Sequence, residues 1–80
     1  MKEIKIDFEK FDGELNTLID SSSDGDKYLL KMVDKEKEDK VEVKFCEVHK
    51  IMNGMIGFIN GNLSYDFSFM RVIGICKILY

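Results

Sequence analysis

The most reactive side chains in this chain are two cysteines, Cys46 and Cys76, and a single histidine, His49. Cys46-Glu47-Val48-His49 has the two-residue spacing of metal ligands, and Cys76 would be a further donor. A structural zinc site needs four ligands and a catalytic one needs three plus water, so the set is thin for either. A thiol nucleophile activated by imidazole is no better served, because positions 46 and 49 of a strand face opposite sides. The expected roles are therefore small buried hydrophobes for the cysteines and a strand end for His49. Neither a metal nor a cofactor is expected. A Cys46–Cys76 disulfide would require an oxidising compartment, which nothing in the sequence suggests.

Two other patterns could carry chemistry. The run Asn53-Gly54-Met55-Ile56-Gly57-Phe58-Ile59-Asn60-Gly61 is glycine-rich, but it lacks Gly-x-Gly spacing and the Lys-Ser/Thr of a phosphate loop. It reads as turns flanking a kinked or bulged strand. Asp20, Asp24 and Asp26 surround Ser21-Ser22-Ser23. Their spacing misses the calcium-loop pattern and its terminal glutamate, so a solvated loop is expected. With no nucleophile–base pair, metal set or phosphate cradle, an enzyme is not expected.

What remains are two candidate contact surfaces. The first is acidic: Asp20, Asp24 and Asp26, then Asp34, Glu36, Glu38 and Asp39. The two stretches would meet at one end of a sheet if the Tyr28 strand leads into a tight hairpin. Clustered carboxylates repel nucleic acid but attract a basic cleft, including one that normally binds nucleic acid. The second is apolar: Met52, Met55, Ile56, Phe58, Tyr65, Phe67, Phe69 and Met70, with Met55, Phe58 and Tyr65 the expected contact residues. Methionine and aromatic side chains suit adaptable, high-area contacts.

The elements that would position these groups are mainly strands. Ile4, Ile6 and Phe8 alternate with charge, as do Val41, Val43 and Phe45, and Leu63, Tyr65, Phe67 and Phe69 alternate with Ser64, Asp66 and Ser68. Lys27–Val33 is β-rich, and Arg71–Leu79 is apolar on both faces, as a central strand should be. Asp24-Gly25, Asn53-Gly54 and Asn60-Gly61 are breaks, the last a hairpin signal. The charged run from Asp34 to Asp39 caps a second hairpin between the Tyr28 and Val41 strands. Phe11, Leu15, Leu18 and Ile19 fit a short helix, while Leu15, Thr17 and Ile19 also fit a strand, and Gly13 weakens the helix. The expected architecture is mainly β: a small antiparallel sheet curled into a sandwich or half-barrel. An α+β fold is the alternative if residues 11–19 are helical.

Eighty residues make one domain, residues 1–80, with a core worth a few kcal/mol. Two cysteines exclude a disulfide-rich secreted scaffold, and 45% apolar content beside 34% charge argues against disorder. The formal charge of −3 is uneven. Residues 1–44 hold 22 of the 27 charges, whereas the last 30 residues hold three. The N-terminal run lacks the apolar core of a signal peptide, and the apolar half is too interrupted to span a membrane. The expected setting is the cytoplasm of a bacterium or phage-infected host.

Phe11-Asp12-Gly13-Glu14-Leu15, followed by a strand and then Val41-Glu42-Val43-Lys44-Phe45-x-x-Val48, resembles an arrangement in small bacterial immunity proteins of toxin systems. The resemblance spans residues 8–50, and the C-terminal section here is unusually short and apolar. It implies a protein that binds and neutralises a partner toxin without catalysis. Phage proteins that inhibit CRISPR–Cas or other defence systems have a similar general profile: short, acidic and without catalytic residues. The sequence thus leads to an expected inhibitor of a protein partner, with no direct nucleic-acid or membrane contact and a homodimer among its expected states. An oligomeric small-ligand or nucleotide-binding module, with Tyr65 lining a pocket between subunits, is the alternative.

Overall fold

The computed structural model describes residues 6–79. Lys27–Asp34 (β2) and Val41–Ile51 (β3) pair antiparallel from Lys27↔Glu47 to Val33↔Val41, with the 34–40 hairpin between them. Ile51↔Gly54 closes the next hairpin onto Gly54–Ile59 (β4), and Asn60-Gly61 turns the chain into the two-residue strand Asn62–Leu63 (β5). Asn60 and Gly61 both have positive φ, 49° and 85°, which suits the twist of a tight hairpin. The chain then returns across the sheet as Met70–Ile78 (β6), which inserts between β2 and the N-terminal strand Glu9–Gly13 (β1). The order is β1-β6-β2-β3-β4-β5, every pair antiparallel.

The expected mainly β, antiparallel architecture is what forms. Its sheet is a single open layer, neither closed into a barrel nor, among the described residues, faced by a second sheet. Residues 11–19 divide between both readings. Phe11 to Gly13 belong to β1, and Leu15–Asp20 form a six-residue helix (α1). Such a helix has almost no stability alone, so packing must hold it. Leu15, Leu18 and Ile19 all turn onto the sheet and are at most 4% exposed.

Two strand expectations fail. The Ile4–Phe8 alternation begins in residues outside those described, and its described part, Ile6 to Phe8, is not strand. The Leu63–Phe69 alternation becomes a 3-10 turn over Ser64–Phe67. Only the turn brings Ser64 under the sheet, where it is 6% exposed.

The core lies between α1 and one face of the sheet. Leu30, Met32, Cys46, Val48, Ile59 and Val72 have no exposed surface there. β6 supplies both Val72 and Ile75 to this face because a bulge between Lys31↔Gly74 and Met32↔Val72 inserts an extra residue. The period-two alternation of β3 is as expected, but its inward face is the other one. Cys46 and Val48 are buried, while Val41 and Val43 are 50% and 53% exposed on the far side. The reason is the reach of α1. Six residues span about 9 Å, so the helix covers only part of its face. Glu42 and Lys44 occupy the uncovered rim of that face, 3.6 Å apart, with the Lys44 ammonium 5.4 Å from the Phe67 ring.

Gly57 sets the helix–sheet distance. A Cβ there would run into Ile19 Cδ1, with Ile19 Cγ1 at 3.0 Å and Ser64 Cβ at 3.2 Å. Gly57→Ala is therefore expected to destabilise the protein by about 1–3 kcal/mol through overpacking, read from urea midpoints. In Ile19→Ala, which removes the clashing atoms, the same glycine substitution should cost much less, since contacting residues are not additive.

Candidate functional site

The β2–β3 hairpin is ordered by its own polar groups. Asp34 Oδ1 accepts the backbone N–H of Glu36 at 2.8 Å and of Lys37 at 3.3 Å, a local Asx-type turn. Lys35 donates its backbone N–H to the Phe69 carbonyl at 2.9 Å, and its ammonium meets Glu14 at 3.0 Å. Arg71 on β6 points Nε and Nη2 at one oxygen of Glu38, at 3.0 and 2.8 Å, and Nη1 at Asp12 at 3.6 Å. Among the described residues this leaves Glu36 and Asp39 exposed at the tip with no ion pair. Beside them is a shallow groove of about 250 Å³, lined by Asp34, Lys37, Lys40, Glu42, Phe69 and Met70. Phe69 is 52% exposed and stacks on Phe67 with ring centroids 6.3 Å apart.

The second acidic stretch does not join this hairpin. It precedes β2, so eight extended residues, roughly 26 Å at 3.3 Å each, separate the two loops at opposite ends of the sheet. Its carboxylates are also largely engaged in holding the loop. Asp24 Oδ1 accepts the Lys50 N–H at 2.9 Å and lies 3.9 Å from His49 Nδ1. Asp26 Oδ2 accepts the Ser23 N–H at 2.8 Å and lies 3.5 Å from the Lys77 ammonium. The Ser23 N–H above all, with help from Lys77, holds the Asp26 carboxyl below its usual range. Asp20 is exposed at the end of α1.

The three apolar candidates also separate. Met55 packs against the core on the helix side. Phe58 lies on the opposite face, its ring edge-on to His49 at 5.7 Å. Tyr65 stands on the 3-10 turn, 63% exposed. Val41 and Val43, which the sequence places only on an alternating strand, are exposed residues outside the candidate set, and Phe69, a member of the apolar set, follows a 3-10 turn instead of lying on a strand. Their exposure depends on where α1 sits, which no local pattern reports.

Cys46 and His49 lie on opposite faces of β3, as strand alternation requires, and His49 Nε2 contacts Glu47 at 3.0 Å. Among the described residues no three histidine, cysteine or acidic side chains gather as metal ligands, and no helix is long and apolar enough to cross a membrane. A wider cleft of about 400 Å³ between β1 and the end of β6 is lined by Asp7, Glu9, Tyr28, Ile75, Cys76, Lys77 and Leu79. Comparison with protein-family models, with curated proteins and with solved structures returns no match for this chain.

Burial pushes the Cys46 thiol from its ordinary 9.0 up to about 12, with the nearby Glu47 charge adding to the effect. The folded state keeps its proton while the unfolded chain loses one, so stability must fall as pH rises from 9.0 towards about 12. Cys46→Ala leaves a small cavity but removes this titration. The stability gap between wild type and variant is expected to narrow by about 1 kcal/mol between neutral pH and about pH 10, read from urea unfolding.

Proposed function

We propose that the protein is a non-enzymatic inhibitor that binds a basic protein partner through the β2–β3 hairpin, in the manner of an immunity or anti-defence protein. The observation that carries this reading is the pair of exposed carboxylates without an ion pair among the described residues, Glu36 and Asp39, on a hairpin whose Asp34, Lys37 and Lys40 line one groove with the half-exposed Phe69 ring. Unpaired exposed charge steers association without first breaking an internal ion pair. An aromatic ring next to it supplies the apolar contact that a charged tip lacks. The Asp34 turn and the Lys35–Phe69 backbone bond fix both groups on one scaffold, which lowers the ordering entropy of binding. Glu36 and Asp39, with Lys37 and Lys40 alongside them, would meet the cations of a cleft that itself recognises phosphate, as in toxin nucleases or nucleic-acid-guided effectors.

A second small-ligand reading, apart from the Tyr65 pocket between subunits, would use the cleft between β1 and β6. Asp7 and Glu9 line it, and its Lys77 is already engaged with Asp26. That lining disfavours nucleotide phosphates, so the hairpin reading is preferred.

The test is capture of the partner from bacterial lysate, followed by purified-component titration at several salt concentrations. The double substitution Glu36→Lys/Asp39→Lys is expected to weaken binding at least about tenfold at low salt and to flatten its salt dependence. Asp20→Lys, at the other end of the sheet, should leave both unchanged. Equal affinity for the wild-type and hairpin-substituted proteins would overturn the proposal.

A further inference from the structure

The face of the sheet turned away from α1 has an apolar centre. Alternation and register put Leu29 of β2, Val43 and Phe45 of β3, Phe58 of β4 and Cys76 of β6 together there, with Val41 at one end. An antiparallel sheet with one solvated face ordinarily shows polar residues on it. Here Val41, Val43 and Ile51 are each about half exposed, at 50%, 53% and 49%. The polar side chains on this face are mostly satisfied within the protomer. Glu47 pairs with His49 at 3.0 Å, the Lys31 ammonium sits 5.0 Å over the Phe8 ring, and Arg71 is held by Glu38 and Asp12. A charge-depleted centre with internally paired groups around it is the composition of a protein interface.

We propose that this face is covered by the same face of a second copy, giving a symmetric dimer in which two sheets pack into a four-layer sandwich with the helices outside. Dimensions support a second copy over a short peptide. β6, β2, β3 and β4 together are about 19 Å wide and run about 27 Å, a flat area of roughly 500 Å² before side-chain relief. The lower bound for a stable dimer is about 600 Å² per partner, which the relief of the valine, leucine and phenylalanine side chains brings within reach. Face-to-face packing about a two-fold axis brings like residues together, and Lys31, the cation opposite Val43, is folded over the Phe8 ring of its own protomer. The β2–β3 hairpin tip lies at the end of the sheet, so the dimer would present two copies of the proposed partner site. The dimer stands or falls independently of that reading.

The test is sedimentation equilibrium of the wild type and of Val43→Lys, with Tyr65→Lys as a control on the other side of the sheet. The wild type is expected at twice the 9.3 kDa protomer mass. Val43→Lys places two buried like charges across the axis and should weaken the dimer at least about 100-fold, whereas Tyr65→Lys should not change it. Circular dichroism checks that both variants are folded. A wild type that stays at 9.3 kDa at high concentration overturns the proposal, as does a dimer that survives Val43→Lys or is lost in Tyr65→Lys. Should Val43→Lys not fold, thiol labelling of the wild type decides. Cys76 is expected to be alkylated more slowly as protein concentration rises, with buried Cys46 inert throughout. A Cys76 rate independent of concentration would place the interface elsewhere and overturn the proposal.

Discussion

The contact between Ile19 and the missing side chain of Gly57 is the constraint on which the rest of the protein depends. α1 is six residues long and cannot persist without tertiary contacts. It persists because Leu15, Leu18 and Ile19 are buried in the core, Ile19 where Gly57 of β4 carries no Cβ to hold it off. The serines that follow complete the joint. Ser21 and Ser22 donate their hydroxyls to the Leu18 carbonyl, and Ser22 also meets the Tyr28 hydroxyl at 2.9 Å, which ties the helix end to the start of β2. Ser64 fills the space on the other side of Gly57, and so the segment after β5 turns as 3-10 instead of continuing as a strand.

That joint gives the sheet two unequal faces. The helix side is sealed where α1 reaches and becomes polar at Glu42 and Lys44 where it does not. The far side receives apolar residues; Val33 is buried there and Phe8 lies against Gly74, while among the described residues no helix or second sheet covers Val41 and Val43. The thickness of the molecule, 21 Å, matches a sheet and one further layer about 10 Å away. Charge is left to the ends. One end has aspartates spent on loop geometry, and the other has a hairpin with two carboxylates to spare. These distinct regions give a small domain room for a self-association surface and a partner surface without overlap.

Much of this architecture was legible in the sequence. The strands at 27–34 and 70–78, the charged hairpin between β2 and β3, and the Asn60-Gly61 turn all carry local signals that tertiary structure did not override. Alternation in Val41-Glu42-Val43-Lys44-Phe45 was equally visible, but alternation reports two faces without saying which is inward. That choice depends on the position of α1, whose own segment was balanced between helix and strand. Tyr65 and Phe69 were misread for the same reason, since the space beneath Gly57 is a long-range fact. The acidic stretches were visible as composition. Their placement at opposite ends follows from the length of β2, and the loss of Asp24 and Asp26 to loop hydrogen bonds could be seen only in three dimensions.

The protomer seals one sheet face and leaves the apolar valines at the centre and end of the other open to solvent. The most direct measurement is solvent paramagnetic relaxation of valine methyl groups by NMR, at a concentration low enough for single protomers. Strong relaxation is expected at Val41 and Val43, which are about half exposed, and almost none at Val48 and Val72, which have no exposed surface. Comparable relaxation at all four valines, or protection of Val41 and Val43 in the single protomer, would contradict it.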